Sequence, residues 1–372
     1  MTDIKNKIDE LLSCDPFNID CHEKENKLLN ILKEQIKHHI KNCTKYKKWY
    51  ISNNFVSPEN IEQLSDIPFL TSSIFKLSEL KSYANSKKIQ SSGTTSSNKS
   101  TIFIDKQTSL NQTKSLSKIL SSLLEGKKRH FFIIDLEPQK NNFNQTMSAR
   151  QAGMAGYLMG AKTKTYLLKL NENNNIVIDD KNLTKLIAES KKESVLIIGY
   201  TYMLYEHIID NSKIDKSKFN FKDTTKLIHF GGWKKLNEKL VSKKILLDKI
   251  EKYFKIKRKN IYDIYGFTEQ LGTIYPSSGD GGCKVSSYSH VIVRDTRTLE
   301  VLEDGKTGFL QFISPLPLSY PGFSILNDDL GQITSRTINK DNNEIVEFSV
   351  NPRLDNAEAR GCGDTLPDNY YI

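Results

Sequence analysis

Apolar residues recur at spacings of three and four through Leu28, Leu29, Ile31, Leu32, Ile36, His39 and Ile40, which predicts one amphipathic helix with a single buried stripe. After it, Asp66-Ile67-Pro68-Phe69 reads as an extended entry into a short helix near residues 72–75. From there the period alternates. Short strand-like runs occur at 101–104, 130–135, 164–169, 194–198 and 226–230. Helix-like stretches at 108–124, 148–159, 183–190, 203–209 and 235–254 separate them, and a further strand is expected at 260–264. Such alternation predicts an α/β architecture with helices packed on sheets. Beyond Tyr262 the segments shorten and fill with Gly, Pro and Asp, and 291–294, 308–313 and 344–350 read as strands of a more antiparallel, β-rich subregion. No internal repeat or long linker interrupts this order.

Composition narrows the picture. With 372 residues, 37% hydrophobic and 26% charged, the chain has the make-up of a globular protein of one large domain or two ordinary ones. No apolar run approaches the roughly 20 residues that span a bilayer, so no membrane span is expected. The opening MTDIKNKIDELLS lacks a basic-then-apolar secretory pattern, and a cytoplasmic enzyme is the expectation. The net charge of +10 comes from lysines scattered among asparagines, without a compact basic stretch interleaved with aromatics. No nucleic-acid partner is expected; a solvated surface and an anionic substrate account for the charge. The five cysteines, Cys14, Cys21, Cys43, Cys283 and Cys362, are odd in number and irregularly spaced, which argues against a disulfide framework and against zinc. Cys14, Cys21 and His22 fit no metal-ligand template. Reduced thiols are expected, one of them as a nucleophile.

Four segments carry candidate chemistry. Ser91-Ser92-Gly93-Thr94-Thr95-Ser96-Ser97-Asn98-Lys99-Ser100 suits a loop that wraps polyphosphate: backbone N–H groups and hydroxyls donate, glycine permits close approach, and lysine offsets charge. It lacks the Gly-Lys-Ser/Thr ending of a P-loop, and a Ser-rich turn has the same letters. Tyr265-Gly266-Phe267-Thr268-Glu269 follows an expected strand; an aromatic there can stack on a base, while Thr268 and Glu269 can hold phosphate oxygens and Mg²⁺. A tight turn after a strand would look alike. Asp328-Asp329 reads as an acidic pair in a turn, able to bind ribose hydroxyls or simply to turn the chain. At His229-Phe230-Gly231-Gly232-Trp233-Lys234 a strand meets a glycine pair, where backbone can pass flat beside an adenine.

In order and spacing these segments resemble the adenylate-forming superfamily of acyl- and aryl-CoA ligases and luciferases. The Ser/Thr/Gly loop resembles its phosphate loop, the Tyr265–Glu269 run its Tyr-Gly-x-Thr-Glu motif, and Asp329 its ribose-binding aspartate. A closer resemblance, over nearly the whole chain, is to the acyl-protein synthetases of bacterial luminescence, the LuxE type. Its signposts are Asp66-Ile67-Pro68-Phe69, Ser73-Ile74-Phe75-Lys76, Gly231-Gly232-Trp233-Lys234, Val301 to Gly308, Ser319-Tyr320-Pro321, Asp328-Asp329-Leu330-Gly331, Arg353-Leu354-Asp355 and Arg360-Gly361-Cys362. Full-length members of the wider superfamily continue past a hinge-like motif into a small domain of ~100 residues bearing a catalytic lysine. Here a short tail follows Arg353-Leu354-Asp355, as in the luminescence family.

The resemblance implies the large domain of an adenylate-forming enzyme over residues 1–355, with stacked sheets flanked by helices, lacking the usual small C-terminal domain. It also implies a mobile tail over 356–372 that carries Cys362. It implies ATP and Mg²⁺ as cofactors. Ser91, Ser92, Gly93, Thr94, Thr95 and Lys99 are assigned to the β- and γ-phosphates, and Thr268 and Glu269 to the α-phosphate and the metal. Tyr265, Gly266, Gly231 and Gly232 go to the adenine, Asp329 to the ribose, and Arg353 to the cofactor site. Lys76, Lys99 and Lys234 are candidates for the lysine that assists adenylation. Cys362 would accept the acyl group as a thioester, with Arg360 favouring the thiolate and Asp364 opposing it. The acid, expected to be a fatty acid, would run beside residues 148–160, where Ala149, Gly153, Ala155 and Gly156 leave room. An acyl reductase or acyltransferase is the expected protein partner. A CoA ligase of the phenylacetate type and an inactive scaffold of the same fold are the alternatives.

Overall fold

The computed structural model describes residues 2–91, 99–138, 149–232 and 241–351. Fifteen strands run through them: β1 (Leu70–Thr71), β2 (Lys87–Gln90), β3 (Thr101–Ile104), β4 (His130–Leu136), β5 (Thr163–Leu170), β6 (Ile176–Ile178), β7 (Leu196–Tyr200) and β8 (Lys226–Phe230). They continue with β9 (Ile261–Tyr265), β10 (Tyr275–Ser278), β11 (Cys283–Lys284), β12 (His290–Arg294), β13 (Gly308–Ile313), β14 (Ser324–Ile338) and β15 (Glu344–Val350). Twelve of them form one hydrogen-bonded path in the order β12-β13-β14-β15-β11-β10-β9-β8-β7-β4-β5-β6, and β1, parallel to β14, makes the sheet thirteen-stranded. The separate pair β2–β3 is an antiparallel hairpin.

One end of the path is parallel: β5, β4, β7, β8 and β9 run in the same direction. Residues Leu196–Tyr200 and Lys226–Phe230 are buried throughout, as strands covered on both faces must be. The chain leaves β4 for β5 on one side and returns to β7 on the other, so the strand order reverses at β4. The other end is antiparallel, from β10 through β12–β15, and has its own apolar centre around Tyr275, Phe312 and Phe348.

The expected helices are present with shifted ends. The 28–40 stripe belongs to α2 (Cys21–Asn42), after α1 (Thr2–Leu11); Asp20 caps α2 by accepting from the Glu23 N–H at 3.0 Å. Leu28, Ile31, Leu32, Ile36 and His39 are buried on it, and so is Gln35. Next come α3 (Thr44–Ser52), α4 (Ile74–Leu77) and α5 (Lys106–Leu123), the last capped by Asp105. The 148–159 stretch becomes α6 (Ala149–Tyr157) and a 3-10 turn at Leu158–Gly160. Then follow α7 (Asp180–Lys192) and α8 (Thr201–Leu204), which widens into a π turn at Tyr205–Ile209. The helix expected over 235–254 begins later, as α9 (Lys243–Phe254): the Ser242 hydroxyl accepts from the Ile245 N–H and sets the start. Residues 235–240 of that expectation lie outside the described residues.

Phe312, fully buried on β13, packs against Tyr265, Phe267, Tyr275 and Phe348 with ring centroids 5.0–5.7 Å apart. Phe312→Ala is expected to cost about 3–5 kcal/mol of unfolding free energy in denaturant titration.

Candidate active site

The C-terminal ends of β4, β7, β8 and β9 open on one edge, beside the point where strand order reverses, which is where open α/β sheets bind ligands. At the end of β8 the chain turns through Gly231, whose φ of +76° suits glycine. A Cβ there would lie 3.2 Å from the Tyr200 ring at the end of β7. The neighbouring Phe230 ring stacks on Tyr157 of α6 at 4.6 Å. One residue earlier, His229 is buried, with Nδ1 3.0 Å from Thr201 Oγ1, and burial holds its imidazole below the usual range, so it is neutral.

At the end of β9, Tyr265 donates its phenol hydrogen to Asp329 Oδ2 at 2.8 Å, and Asn327 Nδ2 donates to the phenol oxygen at 2.9 Å. Burial and the adjoining carboxylate push the phenol well above its ordinary value, so it remains a donor. The half-buried ring backs onto Phe312. Asp329 does not lie in a turn, as its sequence suggested; it lies inside the 15-residue strand β14. Asn327 and Asp329 meet the same Tyr265 hydroxyl, with Asn327 Nδ2 3.4 Å from Asp329 Oδ2, at a register shift between β13 and β14. That i, i+2 pair was the signal that would have marked Asn327.

Thr268–Gln270 form a 3-10 turn directly after this strand. Glu269 is 7% exposed, and burial raises its carboxyl above the usual range, opposed by a hydrogen bond from Ser100 and by the charge of Lys76. A carboxylate in that setting is one a bound Mg²⁺ would favour in its ionised form. The turn is fixed from behind. Tyr320 donates its hydroxyl hydrogen to the Glu269 carbonyl at 2.9 Å, and Gln270 Nε2 donates to the carbonyls of Phe312 (3.0 Å) and Gly322 (2.9 Å).

The Ser/Thr/Gly segment connects β2 to β3. Ser91 and Ser100 close its neck: the Ser91 N–H donates to the Ser100 carbonyl at 3.0 Å, and the Ser100 N–H donates to Ser91 Oγ at 3.1 Å. Ser100 leads into β3, which lies against the Thr268–Gln270 turn. Lys99 is exposed beside it. Ser92, Gly93, Thr94 and Thr95 lie outside the described residues, as do Lys234, Arg353 and Cys362. The structure therefore brings Gly231, Gly232, Tyr265, Gly266, Thr268 and Glu269 to the ends of the adjacent strands β8 and β9, with Asp329 of β14 bonded to Tyr265, while Ser91 lies on the separate β2–β3 hairpin. Sequence reasoning assigned no role to Ser100, Gln270, Ser319, Tyr320 or Asn327.

Beside this edge lies a cavity of about 730 Å³ between α5, α6 and the β2–β3 hairpin. Its walls include Ile104, Leu116, Gly153, Gly156, Met159 and Leu271, with Lys87, Asp105 and Lys106 also among its lining residues. Of the residues expected beside an acyl chain, Gly153, Ala155, Gly156 and Met159 face it, whereas Met154, Tyr157 and Leu158 are buried in the core.

The family model described as "Acyl-protein synthetase, LuxE" matches residues 2–371. The chain belongs to the LuxE acyl-protein synthetase family. A long-chain-fatty-acid–luciferin-component ligase from Aliivibrio fischeri is 22% identical over 344 residues, spanning 89% of this chain and 85% of that protein. Among solved structures, 2-hydroxyisobutyryl-CoA ligase in an open conformation with 2-HIB-AMP and CoA is similar with a TM-score of 0.61 at 13% identity, covering 91% of this chain and 77% of that one. The same ligase in its postadenylation state gives 0.58 at 13% identity, over 89% and 67%. At that identity the likeness establishes the fold, that of an adenylate-forming ligase. As a LuxE-family member the chain is an acid–thiol ligase: it activates a carboxylic acid as an acyl-adenylate and passes the acyl group to a thiol.

The raised Glu269 carboxyl has a consequence for stability. An acid whose folded-state value lies above its unfolded one destabilises the fold once pH exceeds both, and does nothing when pH is below both. Glu269→Gln is therefore expected to raise the unfolding free energy at neutral pH, and the gain should vanish on acidification below the ordinary carboxylate range, as denaturant titrations at several pH values would show.

Proposed function

We propose that this LuxE-family ligase activates a long-chain fatty acid with ATP and Mg²⁺ and loads it on its own Cys362 as a thioester, for delivery to an acyl reductase or acyltransferase. The observation that carries the reading is the buried Glu269 on the Thr268–Gln270 turn, its carbonyl held from behind by Tyr320, beside a largely apolar cavity.

A carboxylate is a poor electrophile because attack on it would have to expel oxide. One of its oxygens instead attacks the α-phosphorus, pyrophosphate leaves, and the new mixed anhydride carries AMP as a good leaving group. Such transfer is mostly positioning and charge stabilisation. Ser91, Ser92, Gly93, Thr94, Thr95 and Lys99 hold the β- and γ-phosphates. Thr268 and Glu269 hold the α-phosphate and the metal. Mg²⁺ would neutralise charge on the phosphate oxygens as the bond to pyrophosphate breaks. Tyr265 lies against the adenine with Gly231 and Gly232, and Gly266 keeps the approach open. Asp329, oriented by Tyr265 and Asn327, receives the ribose hydroxyls. Arg353 completes the cofactor site.

In the second step a thiolate attacks the acyl carbon and AMP departs. Cys283 suits this poorly, because burial pushes its thiol up to about 12, and Cys43 is buried. Both observations favour Cys362, with Arg360 near it in sequence to support the thiolate. The acid lies in the cavity against Gly153, Gly156, Leu116 and Met159.

Intact mass after incubation with ATP, Mg²⁺ and a series of fatty acids tests the reading. An acyl-sized gain is expected, removed by neutral hydroxylamine and absent from Cys362→Ser. A CoA thioester formed at full rate by that variant would replace the proposal with a CoA ligase. Chain-length selection has its own test. A Cβ at Gly153 meets nothing within 4 Å, so Gly153→Leu fills cavity without a clash. It is expected to lower kcat/KM for the longest accepted acid at least ~10-fold relative to short ones, the scale at which lost apolar contacts discriminate substrates.

A further inference from the structure

From Gln35 to Pro58 the chain carries five lysines and no acidic residue, and its run Lys45-Tyr46-Lys47-Lys48-Trp49-Tyr50 is a basic stretch interleaved with aromatics that the reading of scattered lysines passed over. On α3 the apolar and aromatic side chains of this stretch, Tyr46, Trp49 and Tyr50, are buried, while Lys45, Lys47, Lys48 and Ile51 face solvent. Ile51 is 60% exposed and Leu77, at the end of α4, 62%. The two helices adjoin, since Lys45 Nζ lies 3.5 Å from Ser78 Oγ, next to Leu77. The carboxylates nearby are already engaged: Glu34 and Glu59 pair with Lys37, and Glu79 pairs with Lys88 and also feels Lys81 and Lys45. The result is a positive surface with large apolar side chains standing out of it.

We propose that this α3–α4 surface docks on an anionic phospholipid bilayer. Lysines around projecting Ile and Leu side chains match the chemistry of such an interface, with phosphates for the ammonium groups and acyl boundary for the apolar tips. A nucleic acid is the poorer fit, because the aromatics that would stack on bases are buried here. Among the described residues no helix is long and apolar enough to cross a membrane, so the attachment is peripheral and reversible. The surface also adjoins the site. Lys76, next to Leu77, acts on Glu269, and Lys87, next to Lys88, lines the apolar cavity. Docking would bring an acid dissolved in the bilayer to the cavity; that use, unlike the docking, rests on the fatty-acid reading above.

Flotation of the whole chain with vesicles tests this, with phosphatidylcholine alone and with an equal share of phosphatidylglycerol. Binding is expected only to the anionic vesicles and is expected to weaken in high salt. With about fivefold in affinity per lysine at such a surface, the triple variant K45Q/K47Q/K48Q is expected to lose at least tenfold, and Ile51→Ser a smaller factor. K181Q/K191Q/K192Q on α7 removes the same charge elsewhere and is expected to bind as the parent does. Thermal melts overlaying the parent keep misfolding from mimicking a loss. Absence of anionic-vesicle binding, or equal losses in both triple variants, would overturn the proposal. So would losses confined to duplex DNA, which would make the surface a nucleic-acid site. None of these readouts depends on catalysis, so the docking and the ligase reading can fail separately.

Discussion

The arrangement depends on satisfying the backbone of a buried, irregular loop, residues 314–323. Every residue of this loop is buried, yet it forms no helix or strand that could pair its N–H and carbonyl groups. Side chains from distant elements do so. Gln35 of α2 donates to the carbonyls of Pro315 and Pro317, and Asn111 of α5 donates to that of Leu316. The Thr108 hydroxyl accepts from the N–H groups of Leu318 and Ser319. A buried unpaired backbone group costs about 1–3 kcal/mol, so these three buried polar residues are structural necessities.

The same loop carries order forward into the site. Ser319 Oγ donates to the Phe103 carbonyl at 2.6 Å and accepts from the Asp105 N–H, fixing both ends of the β3–α5 junction. Tyr320 holds the Glu269 carbonyl. Gly322 lies so close that a Cβ would come within 2.9 Å of that carbonyl, which leaves no room for another residue. The hairpin of the Ser/Thr/Gly loop and the turn that bears Thr268 and Glu269 are therefore anchored to one inner support. Their separation is set by packing.

Electrostatics divides the site in the same way. Tyr265, Asn327 and Asp329 satisfy one another, a preorganised polar group held on two neighbouring regions of the sheet. Glu269 is raised by burial and offset only partly by Ser100 and Lys76. A buried carboxyl of this kind costs stability where the fold alone must hold it, and in the proposed function its favourable partners come with the nucleotide.

Much of this was legible in the chain itself. Strands β3 and β8 fall where their apolar runs predict them; of the stripe on α2, Leu28, Ile31, Leu32, Ile36 and His39 are buried while Leu29 and Ile40 are half-buried at its margin, because burial on one helix face imposes a period of three and four. The order of the loop, the glycine pair, the Tyr-Gly-x-Thr-Glu run and Asp329 was likewise sufficient to point to acid activation. What the sequence could not decide was which polar side chains meet across long separations. Tyr320 with the Glu269 carbonyl and Tyr265 with Asp329 are contacts between residues 51 and 64 positions apart, invisible to any local period. The strand environment of Asp329 was missed because an acidic pair reads as a turn, and here it sits at the register shift between β13 and β14, inside a strand that flanking residues pair on both sides. Local pattern determines which elements form and which face is buried; only close packing of those elements decides which polar atoms are left to find each other.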